Sequence, residues 1–135
     1  SALCSLTSKN FSDNILLLGD SHADSIKDNL AKINSEMNSG TFFSVNPPLV
    51  YNSTYQIERL KEDIELLKPK ALIIHYYHDH YNNSDFREKL LSLLKFSKEL
   101  NILAYVIAPI PTYKESILSY LYEQIDNLIR SLHYL

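Results

Sequence analysis

Short, nearly continuous apolar runs recur along the chain, and runs of this kind predict strands that are buried on both faces of a sheet. They are bounded by turn-forming residues such as glycine, asparagine and proline. The four predicted strands are Asn14–Leu18, Thr41–Val45, Ala71–Tyr76 and Ile102–Ala108.

Between and after these runs, apolar residues recur every three or four positions, which is the period of one helix face. The first predicted helix runs from His22 to Met37 and the second from about Thr54 to Lys68. A third follows Ser84, and a fourth runs almost to the C-terminus. Each helix therefore carries one apolar face that packs against the sheet.

The predicted order is βαβαβαβα, which indicates a parallel sheet covered by helices on both faces. Right-handed crossovers favour a flavodoxin-like three-layer sandwich with the strands in the order second, first, third, fourth. In that order the direction of winding reverses between the first and third strands. Ligands of such folds bind outside the carboxyl ends of the strands at this switch point.

Length and composition limit the function classes. The 135 residues predict a single domain, 1–135. A net charge of −3 without a basic block argues against nucleic-acid binding. The single cysteine, Cys4, permits neither an internal disulfide nor a cysteine-based zinc site. The longest nearly apolar stretch, Ile102–Pro111, is too short to span a membrane, and no signal peptide is apparent at the start.

The residues after the first predicted strand offer candidate chemistry. They read Gly19-Asp20-Ser21-His22-Ala23, with Ser21 where the strand turns into a helix. Backbone N–H groups and the dipole of a helix start favour an oxyanion, so a serine here is suited to act as a nucleophile. The alternative is that Ser21 and Asp24 form a capping box without any catalytic role.

The stretch from Asn14 to Ala23 resembles the first conserved block of the SGNH (GDSL-type) hydrolases. The added His-Ala is most similar to the SGNH domains attached to membrane acyltransferase-3 proteins, which O-acylate cell-surface polysaccharides. This resemblance implies that Ser21 is the nucleophile and that Asp20 supports it. It implies the SGNH variant of the sandwich, here lacking its last strand.

The other blocks of the family match in part. The second block would place a main-chain oxyanion donor at Val45 or Asn46, where Pro47-Pro48 is kept but the usual glycine is not. The third block aligns with 76–79, so His78 would replace the usual asparagine as an oxyanion donor. The Asp-x-x-His block that supplies the catalytic base is not found, which indicates a truncated domain or one that has lost its activity.

The resemblance implies acyl transfer through a serine acyl-enzyme, with an acyl donor and a carbohydrate acceptor as partners and no cofactor. It implies an extracytoplasmic domain tethered to a membrane acyltransferase. Two alternatives remain open, a free-standing esterase of the same fold and a non-catalytic α/β binding or interaction module. A zinc site is a further hypothesis, because His75, His78 and His80 crowd one segment and His22 is a candidate ligand nearby, but their spacing does not specify a site and no metal is expected.

Overall fold

The computed structural model describes residues 3–44, 49–50, 56–107 and 123–130. In chain order the elements are β1 (Leu3–Ser5), β2 (Asp13–Gly19), α1 (Ser21–Glu36), β3 (Ser39–Ser44), α2 (Ile57–Leu67), β4 (Ala71–His75), a 3-10 helix (His78–Asn82), α3 (Ser84–Glu99) and β5 (Leu103–Val106). Residues 123–130 are also helical.

The strands form one sheet in the order β1-β3-β2-β4-β5. β3 and β4 flank β2 and run parallel to it, and β5 runs parallel to β4. This arrangement confirms the predicted flavodoxin-like α/β architecture and the predicted order of its four parallel strands. It also places the reversal of winding between β2 and β4.

The sheet has one strand that the apolar pattern did not predict. β1 pairs antiparallel with β3, with Cys4 opposite Phe43. Its three residues are half-buried or exposed, so this edge strand has no continuous apolar run that could mark it. Cys4 is an exposed free thiol there.

Alternate residues of β2 supply the two sides of the core. Leu17 packs with Ala23 and Phe43 beneath α1, while Leu16 and Leu18 face the opposite side. That side holds the larger cluster, which contains residues of α2, α3 and the helix at 123–130. The three leucines are fully buried, and each such side chain contributes about 2 kcal/mol of hydrophobic stabilisation.

A residue in the left-handed backbone conformation follows each of the helices α1, α2 and α3. Asn38, Lys68 and Asn101 have φ values of 60°, 48° and 57° and follow α1, α2 and α3. The end of α1 was expected over 38–40, but β3 already begins at Ser39. Met37 and Asn38 make that turn, and Asn38 takes its left-handed conformation because asparagine tolerates this region better than most residues.

Candidate functional site

The turn from β2 into α1 leaves no space for a side chain at Gly19. A Cβ atom at this position would collide with the carbonyl oxygen of His75 on β4 and with the Cβ of Ala23 in the first turn of α1. Gly19 therefore allows β2 and β4 to stay paired, as their Gly19–His75 register requires, while α1 starts directly above them.

Asp20 begins α1 as its N-cap. Its Oδ1 accepts a hydrogen bond of 2.9 Å from the backbone N–H of His22, and its carbonyl oxygen accepts the first intrahelical bond, from Asp24. The capping interpretation of Ser21 is therefore wrong, because Ser21 is the first helical residue and Asp20 does the capping. A displacement by one residue also occurs at α3, which was predicted to follow Ser84 but begins at Ser84, with Asn83 as its N-cap.

The second carboxylate oxygen of Asp20 joins this turn to the loop after β4. Asp20 Oδ2 accepts a hydrogen bond of 2.9 Å from the backbone N–H of Tyr77 and lies 3.1 Å from His80 Nε2. On the other side, His22 Nδ1 lies 3.3 Å from Oδ1. The Asp20 carboxylate thus connects the two segments on either side of the switch point. Asp20 and His80, which it joins, are 60 residues apart in the sequence.

These contacts govern the protonation of Asp20, whose side chain is only 15% exposed. Burial raises its pKa, but the backbone N–H groups of Tyr77 and His22 stabilise the ionised form, and the charges of His22 and His80 add to that effect. The net result is a pKa below the ordinary aspartate value. Asp20 is therefore a fixed negative charge at neutral pH.

Ser21 is exposed at the start of α1, next to the half-buried charge of Asp20. Its hydroxyl makes no hydrogen bond to any other residue that the structure describes. The first N–H groups of a helix have no intrahelical acceptor, and here Asp20 satisfies that of His22. Among the described residues, the Ser21 hydroxyl therefore lies beside main-chain donors without a hydrogen-bond partner, and no described histidine is hydrogen-bonded to it.

Aromatic and imidazole rings surround the turn. The ring of His22 stacks on Tyr77 at 5.2 Å between centroids and meets His75 edge-on at 5.7 Å. His75 Nδ1 is buried and has no hydrogen-bond partner in the described part of the chain. Burial lowers the pKa of His75, the charge of His22 lowers it further, and Asp20 opposes the change only in part.

His78 lies in the 3-10 helix that follows β4. Its Nε2 is 3.2 Å from Asp79 Oδ1, and its ring is tilted against Tyr77 at 4.2 Å between centroids. His78 is therefore at the same edge of the sheet as Ser21, as the resemblance implies, but its nearest polar partner is its neighbour in sequence. Val45 and Asn46 lie outside the described residues.

The structure brings His80, Tyr77 and His75 into this site, and the sequence analysis assigned none of them a role in acyl transfer. Of the three histidines near the end of the third predicted strand, the resemblance assigns His78 an oxyanion role, and His75 and His80 are considered only as possible zinc ligands. Across the described ranges, no group of three or more histidine, cysteine or acidic side chains is arranged to hold a metal ion. The available signal was that Asp20 and His80 both follow strands that flank the switch point.

Comparison with known proteins adds no family assignment: the chain matches no protein-family model, and no curated protein matches it significantly. Among the described helices, none has the length and apolar character needed to cross a membrane.

Proposed function

We propose that this domain carries out SGNH-type acyl transfer with Ser21 as the nucleophile. The observation that carries the proposal is the position of Ser21: an exposed hydroxyl at the first residue of α1, directly after the central strand and at the switch point of the sheet. Helix N–H groups at this place favour the negative charge that develops on an acyl oxygen.

In this proposal the Ser21 oxygen attacks the acyl carbonyl carbon, the alcohol of the donor ester leaves, and a base takes the serine proton. The acyl group then passes to a sugar hydroxyl or to water. The oxyanion is held by the N–H of Ser21, by a main-chain donor at Val45 or Asn46, and by His78. A neutral imidazole has one N–H, so His78 serves in this role when that N–H points at the oxyanion and not at Asp79.

By the resemblance noted above, we propose that the acceptor is a cell-surface polysaccharide and that the domain acts on the extracytoplasmic side as part of a membrane acyltransferase. The Gly19-Asp20-Ser21-His22-Ala23 sequence supports this assignment. A non-catalytic binding module is the second candidate. It is favoured by one observation, that no histidine of the described chain is hydrogen-bonded to the Ser21 hydroxyl.

The two candidates are separated by supplying a base from solution. Protein is incubated with p-nitrophenyl acetate and imidazole, and acetylated peptides are quantified by mass spectrometry. We expect acetyl groups on Ser21 at least tenfold above those on Ser25, because a built site favours one hydroxyl over another. Ser25 is a matched internal control, since it is an exposed serine one turn further along α1 whose hydroxyl donates to the carbonyl of His22 at 2.7 Å.

A Ser21→Ala variant should show no acetyl group at position 21 and an unchanged yield at Ser25. Equal labelling of the two serines, or labelling of neither, would contradict the acyl-transfer proposal and leave the binding module.

A further inference from the structure

The 3-10 helix after β4 carries two histidines, and they face different partners. His78 Nε2 is near Asp79 of the same short helix, whereas His80 Nε2 is 3.1 Å from Asp20 Oδ2. Of these two histidines, His80 is thus the one that contacts Asp20 of the Gly-Asp-Ser turn, although His78 occupies the position that the family resemblance marks.

The ring of His80 is held in place by its surroundings. It stacks on Phe86 of α3 at 5.8 Å between centroids with an interplanar angle of 30°, and it meets the ring of Tyr76 edge-on at 6.2 Å. Both Tyr76 and Phe86 are core side chains, 0% and 2% exposed. The packing of rigid neighbours therefore fixes the direction in which His80 presents Nε2.

The chemistry of the pair fixes the proton on His80. An ionised carboxylate only accepts hydrogen bonds, so the 3.1 Å contact requires that Nε2 carry the hydrogen. In the neutral ring Nδ1 then keeps a lone pair. The partner of an imidazole nitrogen selects the tautomer in this way, and the tautomer is consequently a direct report on the Asp20–His80 contact.

We propose that His80 is the positioning residue of the Ser21 site. By donating a hydrogen bond to Asp20 Oδ2, His80 holds the N-cap of α1 against the loop after β4. This contact fixes the position of the adjacent Ser21 hydroxyl. His80 acts through Asp20 and does not touch the reacting atoms. This role rests on the proposed function, because it concerns the reactivity of Ser21.

Two substitutions at His80 distinguish the effect of its hydrogen-bond donation from the effect of its ring packing. His80→Phe keeps an aromatic ring against Phe86 and Tyr76 but removes the donor, whereas His80→Gln keeps an N–H donor at a similar reach but removes the ring. In the imidazole-assisted acetylation of the full chain, we expect His80→Phe to lower the rate at Ser21 about tenfold, since small misplacements of a reacting group have effects of this size or larger. His80→Gln should recover most of that loss. The acetylation rate at Ser25 should be unchanged in both variants.

Nitrogen-15 NMR of the imidazole rings gives a readout that does not depend on activity. At pH 8 the wild-type His80 should be the Nε2–H tautomer. In Asp20→Ala the carboxylate acceptor is lost, so the tautomer is no longer fixed and the Nδ1–H fraction of the His80 ring should rise.

A wild-type His80 in the Nδ1–H form, or acetylation of Ser21 at the wild-type rate in His80→Phe, would overturn the positioning role alone. Failure of His80→Gln to recover the rate would also overturn it, because packing rather than donation would then explain the loss. Absence of Ser21 acetylation in the wild-type chain would overturn the proposed function and this role together.

Discussion

The two connections that leave the centre of the sheet are built differently. After β2, the chain enters α1 within two residues, and Gly19 and Asp20 are fixed there by space and by capping bonds. After β4, the chain passes through a short 3-10 helix rich in rings, and its contacts reach across to Asp20. The first connection is fixed by close packing against the β4 backbone and by its own capping bonds, whereas the second is held by side-chain and ring contacts that reach across the switch point.

The largest expected effect tests the close packing of the connection after β2. Gly19→Ala should lower the free energy of unfolding by about 3 kcal/mol, because the new Cβ collides with a strand carbonyl and a buried alanine, neither of which can move aside. Gly40→Ala is the matched control. Its Cβ would meet the side-chain oxygen of Asn14, which can rotate away, so the loss should be about 1 kcal/mol or less.

Urea denaturation followed by circular dichroism measures both variants. Equal losses for the two alanines would show that the approach of β4 to the β2 turn is not what requires glycine at position 19.

A smaller effect tests the link between the two connections. Asp20→Ala should cost about 2 kcal/mol of stability, because the cap is lost and the N–H of Tyr77 loses its acceptor. Asp20→Asn keeps a capping oxygen and should cost less.

The same link has a pH signature. The pKa of Asp20 is lower in the folded state, so the folded chain binds fewer protons near this pKa than the unfolded chain. Its contribution to stability is present above the unfolded value of about 3.9 and is lost as pH falls through the lower folded pKa. The stability difference between wild type and Asp20→Asn should therefore shrink below about pH 4. A difference that stays constant down to pH 2.5 would contradict the assignment.

The smallest effect concerns the ring cluster. Because burial and the nearby His22 lower the pKa of His75, its NMR titration midpoint should lie below 6.5. The folded state then binds fewer protons, so this group reduces stability as pH falls below the unfolded value. His22→Gln removes one positive neighbour and should move the midpoint part of the way back. A His75 midpoint at or above 6.5 in the wild-type chain would show that the ring is more solvated than this packing implies.

The difference between the two connections also explains what could be predicted from the sequence. The strands with long apolar runs and the Gly19-Asp20-Ser21 turn were predictable, because hydrophobic burial and a tight turn act through neighbouring residues. The edge strand β1 was missed, since its pairing with β3 depends on residues about 40 positions away and leaves no apolar run.

His80 was missed for a similar reason. Its partner Asp20 is 60 residues away, and only the sheet order brings the two together. The cap of α1 was placed one residue late, because serine and aspartate are both good N-caps and local sequence does not choose between them. Asp20 is the cap here, and its second oxygen also accepts from the β4 loop.

The central claim is that Ser21 forms an acyl-enzyme, and the time course of p-nitrophenol release from p-nitrophenyl acetate in imidazole buffer tests it most directly. The wild-type chain should give a burst that approaches one equivalent of product per protein molecule, followed by slow release, because no described histidine is in place to activate water for deacylation. Ser21→Ala, corrected for the same buffer background, should give no burst. Identical linear release from the wild-type chain and from Ser21→Ala would contradict the account.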